Sequence, residues 1–358
     1  MVTIDQLLYT TVHHMGSDLH LKAEGPPLVR IHGDLVQLEM DPLSPDETKD
    51  LSLSILSEAQ RARFEEELEL DFAYEIPGLA RFRGNVYQQK GAVQSAFRVI
   101  PLRIQTMEEL SLPPVCRYFS ERPRGLVLVT GPAGSGKSTT QAAMIDYING
   151  NYPLHVVTVE DPLEFIHEDR QALINQRELD TDTLSFANAL KFVLRQDPDV
   201  ILIGEMRDLE TIHLAITAAE TGHLVFGTLH TTDAVQTVDR VIDVFPTYQQ
   251  QQVRMQLAVN LIGVISQTLI KRADGQGRLA AFETLVAISA VRNLIRENKT
   301  YQIGSLIQTG QRHGMQSLDQ SLAELYQKRL VTYSDALEKA TNVHEYKALV
   351  GEEADAAQ

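Results

Sequence analysis

The stretch Gly131-Pro132-Ala133-Gly134-Ser135-Gly136-Lys137-Ser138 fits the pattern G-x-x-x-x-G-K-[ST] without a mismatch. The chemistry suited to that pattern is phosphate binding. Glycines let the backbone curl so that several N–H groups face one anion, and the lysine carries a charge to the β and γ phosphates. The Ser138 hydroxyl suits Mg²⁺, and Thr139 completes the nucleotide-binding stretch. Leu126 to Thr130 reads as a short strand buried on both faces, and Thr139 to Ile145 as a helix without breakers. A strand, a glycine loop and a helix N-terminus in that order predict ATP binding.

In an open parallel sheet, ligands bind beyond the carboxyl ends of the strands, so the ends of three further strands matter. His155 to Val159 runs into Glu160-Asp161-Pro162-Leu163-Glu164. Carboxylates there can hold Mg²⁺ through water or polarise an attacking water, although a capped acidic turn would read the same way. Asp199 to Ile203 runs into Gly204-Glu205-Met206-Arg207-Asp208, where Gly204 stands in the place of the usual Walker B aspartate. That leaves Glu205 as the main carboxylate. The expected assignment has Glu205 orienting water or completing a Mg²⁺ shell with Ser138 and Glu160, and Glu164 acting as general base. Leu224 to Leu229 is bracketed by His223 and His230. His230 sits at the end facing the phosphates, where an imidazole N–H can bond the γ-phosphate, and His223 sits at the other.

The elements that must position these residues fall into two patterns. Up to about residue 100, hairpins alternate with helices: a helix over 3–15, a strand at 18–21, a hairpin turning at Gly33-Asp34, and a helix from Pro45 to about Phe64. Further hairpins turn at Pro77-Gly78 and Lys90-Gly91, and the strand Ser95 to Ile100 ends this α+β domain. Within it Leu79, Arg81, Arg83 and Asn85 share one strand face, opposite Ala80, Phe82 and Val86. A solvated face answered by the acidic run Glu65 to Glu69 explains the arginines. So does a role for Arg81, Arg83 or Arg98 as an arginine finger. The prolines of 101–114 mark a linker. Strands then alternate with helices, the sign of a parallel sheet, and Leu209, Ile212, Ile216 and Ala219 line one face of a helix ending at Gly222. From about Gln249 the chain reads as mostly helical.

At 358 residues, a formal charge of −16 and no long basic block, the chain is large enough for two cores and poorly suited to passive nucleic-acid binding. One cysteine, Cys116, excludes an intrachain disulfide and a multi-cysteine zinc site. The N-terminus lacks the pattern of a signal peptide. The nearest apolar stretch, Leu257 to Ile270, is interrupted by Asn260, Ser266 and Gln267. The expectation is a soluble cytoplasmic protein that meets a membrane only through partners.

Taken together, these blocks resemble the secretion ATPases of type II secretion and type IV pilus systems. Gly16-Ser17-Asp18-Leu19-His20-Leu21 is similar to the family's N-terminal mark, and Thr158 to Glu164 to its Asp box. Gly204 to Asp208 is similar to its Walker B, glycine included, and Thr221-Gly222-His223 through Leu229-His230-Thr231 to its His box. Within it the chain is most similar to the retraction ATPases, the PilT family. Ala290-Val291-Arg292-Asn293-Leu294-Ile295-Arg296-Glu297 matches their A-I-R-N-L-I-R-E motif except at Val291, and Gly314 to Asp319 is close to another of their stretches. The extension ATPases carry a tetracysteine zinc site that this chain cannot build.

The resemblance implies a homohexamer acting on an inner-membrane platform protein, at the cytoplasmic face, to draw pilin out of the fibre. A second retraction ATPase is a further implied partner, and ATP with Mg²⁺ the cofactors. Each subunit would pair an N-terminal PAS-like α+β domain (1–100) through a linker (101–114) with an α/β RecA-like P-loop core (115–285) and a C-terminal helical region (286–358). Arginines of the N-terminal domain would close over the ATP. Ile288, Val291, Leu294 and Ile295 form an apolar stripe with Arg292 and Arg296 on the polar face, which a solvated helix explains. The resemblance adds that Arg292, Asn293, Leu294 and Arg296 bear on retraction. An accessory ATPase of the PilU type and a non-catalytic ATP-binding ring share these boxes.

Overall fold

The computed structural model describes residues 2–31, 33–100 and 103–351. The chain divides into two compact units, Met1–Arg103 with Pro162–Ile166, and Ile104–Asp161 with His167–Gln358.

The first unit opens with helix α1 (Ile4–His13), started by a capping box in which Thr3 and Gln6 satisfy each other's backbone N–H groups. Its strands are β1 (Gly16–Leu21), β2 (Leu28–Ile31), β3 (Asp34–Gln37), β4 (Glu69–Ile76), β5 (Ala80–Gln89) and β6 (Ala92–Ile100). They form one six-stranded antiparallel sheet in the order β3-β2-β1-β6-β5-β4. Ile31 pairs with Asp34, so the first hairpin turns one residue earlier than Gly33-Asp34; His32 lies outside the described residues. The other two hairpins turn where expected, with Ile76 opposite Ala80 and Gln89 opposite Ala92.

The single helix expected from Pro45 to Phe64 is two, α2 (Pro45–Leu53) and α3 (Glu58–Glu67). Ser57 restarts the backbone by capping Gln60 N, a local hydrogen bond that competes with helix continuation. Ala80, Phe82 and Val86 are buried while Arg81, Arg83 and Asn85 are half-buried, as the alternation of β5 requires. The contacts of Arg98 and Arg81 include acids outside the run Glu65 to Glu69. Arg98 Nε donates to Asp18 Oδ1 at 3.0 Å, and Arg81 lies 4.0 Å from Glu75.

The second unit carries α4 (Val115–Ser120), β7 (Gly125–Thr130), α5 (Lys137–Asn151), β8 (His155–Glu160), β9 (Leu173–Glu178), α6 (Phe186–Val193), β10 (Val200–Ile203) and α7 (Leu209–Glu220). β11 (Leu224–Leu229), α8 (Ala234–Asp243), α9 (Thr247–Asn260), β12 (Leu261–Lys271) and β13 (Arg278–Val286) follow. Five small helices finish it: α10 (Ser289–Arg296), α11 (Ile303–Thr309), α12 (Leu318–Gln327), α13 (Tyr333–Lys339) and α14 (Val343–Val350). The sheet runs β13-β12-β7-β11-β10-β8-β9, parallel throughout except that β13 returns antiparallel to β12. β7, β10 and β11 are buried along their whole length, which is why their sequences are continuous apolar runs. Cys116 is packed in this core, where burial pushes its thiol up to about 12. Leu209 is exposed at the N-terminal end of its helix, so the buried face of α7 is Ile212, Ile216 and Ala219.

Two strands, β12 and β13, occupy a region that reads as helix in sequence. The run Leu261 to Ile270 is buried on both faces of the sheet, and a short apolar run of that kind is the one whose period does not separate strand from helix. Among the described residues no helix is long and apolar enough to cross a membrane. Gly263 lets β12 pass close to its neighbours: a β-carbon there would lie 2.2 Å from Phe119 Cζ and 2.4 Å from Leu285 O. Gly263→Ala is therefore expected to destabilise the fold by about 1–3 kcal/mol, read as a lowered midpoint in urea unfolding.

Candidate active site

The carboxyl ends of β7, β11 and β10 are neighbours, since Thr130 pairs with Leu229 and Ile203 with Gly227. The loops that follow these strands therefore leave the sheet along one edge. After β7 the chain turns through Gly131, Gly134 and Gly136 at φ 139, 74 and 90°, conformations that favour glycine, and α5 begins at Lys137. Pro132, Ala133 and Gly134 are exposed, whereas Ser135 and Lys137 are buried. Lys137 Nζ donates to the carbonyls of Gly131 and Pro132, each at 2.9 Å, which folds the side chain back over its own loop. Ser138 and Thr139 lie in the first turn of α5, half-buried.

After β10, Met206 N donates to Thr228 O at 3.0 Å, so the chain stays beside β11 for three residues beyond the strand. This places Glu205 against His230, whose Nε2 lies 2.7 Å from Glu205 Oε1. Arg207 Nε donates to the same oxygen. Burial disfavours the ionised carboxyl, but Arg207 and His230 together outweigh it and hold Glu205 below the ordinary carboxylate range. The pair with Glu205 in turn raises Arg207, and the charge of Asp161 adds to it. The result is an ionised acid fixed at the strand edge with Oε1 engaged by two donors.

Gly204 has a backbone reason. A β-carbon there would lie 3.0 Å from Glu160 Cα and 3.1 Å from Val159 O, and Gly204 N donates to that same carbonyl at 2.7 Å. Asp208 is the N-cap of α7, accepting from Thr211 N and Oγ1 at 2.8 Å each. Glu160 ends β8 at this edge. Glu164 lies in Pro162–Ile166, which belongs to the first unit, as Arg81, Arg83 and Arg98 do. His223 stands apart from the edge: its Nδ1 lies 2.9 Å from Ala218 O and 3.2 Å from Thr221 Oγ1, at the C-terminus of α7. In the C-terminal motif Val291 and Ile295 are buried and Leu294 half-buried, but Arg292 does not share the solvated face of Arg296. Its Nε donates to Ala287 O and its Nη1 to Ala258 O, both at 2.7 Å, and Nη1 also donates to Val259 O, so it closes the last carbonyls of α9. Arg296 is exposed and donates to Asn293 Oδ1 at 3.3 Å.

Several participants carry no signal of their own. Arg207 lies inside the Gly204 to Asp208 box, but nothing in its spacing marks it as the partner of Glu205 rather than a solvated arginine. A hydroxyl cluster stands behind the loops: Thr130 Oγ1 and Ser266 Oγ are 2.7 Å apart, and Thr231 Oγ1 and Thr237 Oγ1 2.6 Å. Glu283 of β13 is a third case. Its Oε1 accepts from Ala234 N, at the start of α8, at 2.7 Å. Burial, together with the charges of Asp233 and Asp319, pushes its carboxyl up to about 7. A pKa raised in the fold means that stability is fully present below the ordinary value of 4.5 and lost as pH rises through about 7. Urea midpoints measured at about pH 5 and about pH 8 are expected to fall with rising pH in the wild type. In Glu283→Gln, which keeps the acceptor and removes the charge, that fall is expected to shrink.

Comparison with known proteins agrees with this geometry. The profile of the family described as "Type II/IV secretion system protein" matches residues 94–338. The type IV pilus retraction ATPase PilT of Pseudomonas aeruginosa is 53% identical over 337 residues, covering 94% of this chain and 98% of that one. The type IV pilus ATPase PilU of the same organism is 40% identical over 354 residues, covering 98% and 93%. Among solved structures, the crystal structure of the pilus retraction motor PilT with bound ADP superposes with a TM-score of 0.88 at 46% identity, over 96% of this chain and 98% of that one. The chain therefore belongs to the type II/IV secretion system protein family and is one of its ATPases.

Proposed function

We propose that the chain is a Mg²⁺-dependent ATPase motor that powers retraction of type IV pili, working as a homohexamer on a platform protein at the cytoplasmic face of the inner membrane. The observation that carries this reading is the 53% identity to the P. aeruginosa retraction ATPase along nearly the full length of both chains. The lower 40% identity to PilU favours the principal motor over the accessory one, which becomes a second ATPase acting beside it.

In this reading Gly131 to Thr139 cradle the phosphates, Lys137 swings from its own loop to the β and γ phosphates, and Ser138 ligates Mg²⁺. Among the described residues no group of three or more His, Cys, Asp or Glu side chains is placed to hold a metal. That fits an ion carried by the nucleotide's phosphates, with one hydroxyl and water-bridged carboxylates such as Glu160 and Glu205 completing its shell. Bound there, Mg²⁺ would neutralise charge developing on the phosphates. Glu205 orients the attacking water, Glu164 serves as general base, and His230 bonds the γ-phosphate and reports its loss. His223 closes the C-terminal end of α7. Arg81, Arg83 and Arg98 are candidate arginine fingers, in this subunit or a neighbouring one. Arg83 has no ion-pair partner among the described residues, whereas Arg81 lies near Glu75 and Arg98 bonds Asp18, so Arg83 gives up least. Arg292, Asn293, Leu294 and Arg296 act in retraction downstream of hydrolysis.

Glu205→Gln is expected to keep nucleotide binding and to lower ATP turnover by about a hundredfold or more, measured as phosphate release. Carried as the only copy in the native host, it should give labelled pili that extend but no longer shorten; bald cells would identify an extension motor instead. Arg83→Ala is expected to lower turnover at saturating ATP by about a hundredfold or more, with a smaller loss for Arg98→Ala. Equal, near-normal rates in Arg81→Ala, Arg83→Ala and Arg98→Ala would remove the finger assignment.

A further inference from the structure

β12 runs parallel to β7 with Ser266 opposite Thr130, which brings the next residue, Gln267, alongside the start of the phosphate loop. Gln267 is 3% exposed, and its Nε2 donates to the carbonyl of Ser135 at 2.7 Å. Its own backbone carbonyl passes so close that a β-carbon on Gly131 would lie 2.3 Å from it, and a β-carbon on Gly136 would lie 3.1 Å from its Nε2. The loop is thus molded along one flank by a single residue of a strand that carries no nucleotide motif.

The bond to Ser135 does more than fill space. Ser135 C=O and Gly136 N–H belong to one planar trans peptide unit and point in opposite directions. Fixing the carbonyl toward Gln267 fixes the Gly136 N–H away from it. That N–H is among the donors a phosphate loop turns toward its anion. We propose that Gln267 is a positioning residue of the nucleotide site, which sets the direction of the Gly136 N–H and thereby the affinity of the loop for the diphosphate of ADP or ATP. The proposal rests on the nucleotide reading of the loop given above.

A second observation separates this role from packing. Gln267 Oε1 and Ser135 Oγ are both buried with no hydrogen-bond partner among the described residues. A residue chosen only for stability would not leave a buried acceptor unpaired, because its desolvation is uncompensated. Removing the whole amide deletes that orphan acceptor together with the useful donor.

The test is Gln267→Met, which keeps the length of the side chain and loses the amide. ADP affinity is measured by titration calorimetry, and thermal stability by scanning calorimetry without nucleotide. The expected result is an ADP Kd raised about three- to tenfold with a melting temperature that is unchanged or higher. In steady-state hydrolysis KM should rise by a larger factor than kcat falls. Gln267→Asn keeps the amide but is too short to reach Ser135 O, and should weaken ADP to a similar degree, which covers the case of a methionine variant that misfolds. An ADP Kd within twofold of wild type in a folded variant would overturn the proposal, and so would a loss of affinity that only follows a lowered melting temperature. Wild-type protein that does not bind ADP, with Lys137→Ala behaving identically, would overturn the nucleotide reading itself and this inference with it.

Discussion

One carboxylate oxygen, Glu205 Oε1, accepts from both His230 and Arg207, and the arrangement of the second unit serves that contact. The two donors reach it only because β10 and β11 run parallel in a register that ends them at one edge, and because Met206 keeps the chain on β11 past the end of its own strand. A glutamate at a strand end in open solvent would be one mobile anion among many. Here its charge is balanced at a fixed point, with β11 between its own strand and the β7 that delivers the phosphate loop; a charge held in place in this way is what electrostatic preorganisation requires.

Behind that edge the loops are tied together by small hydroxyl groups rather than by charge. Thr237 donates to Asp233 O at 2.6 Å and lies within reach of both Thr231 and Thr130, while Thr130 meets Ser266. The phosphate loop, the segment after His230, the start of α8 and β12 therefore share one buried polar cluster. Partly desolvated hydroxyl networks of this kind fix relative position more than they add net stability. A change at His230 is next to Thr231, which joins the cluster through Thr237.

How much of this was legible in the sequence follows from how local each signal is. The phosphate loop and the strands around it are written in contiguous residues whose spacing fixes their geometry; the pairing of Glu205 with His230, 25 residues away on the neighbouring strand, appears only once β10 and β11 lie side by side. The break between α2 and α3 is also local, but rests on the cap at Ser57, inside a run that reads as one helix. β12 and β13 were not legible, since an apolar run buried on both faces has no period to read. With β12 unseen, Ser266 and Gln267 looked like interruptions in an apolar segment; in the fold they are the polar contacts to Thr130 and Ser135. Arg292 shows the same limit on a helix: periodicity puts it on the polar face, and only the neighbouring end of α9 shows that its guanidinium is occupied.

The tight approach of Gly204 to Glu160 and Val159 has an evolutionary side. Glycine and aspartate codons differ by one base, so mutation offers this strand the more usual tandem Asp-Glu in a single step. Two backbones meet where the new side chain would start, so that step requires β8 and β10 to move apart by a few tenths of an ångström and carries a cost in folding. Lineages built on this strand spacing are held to one acid at the end of β10. A second carboxylate at this edge comes instead from the neighbouring strand, where Glu160 ends β8.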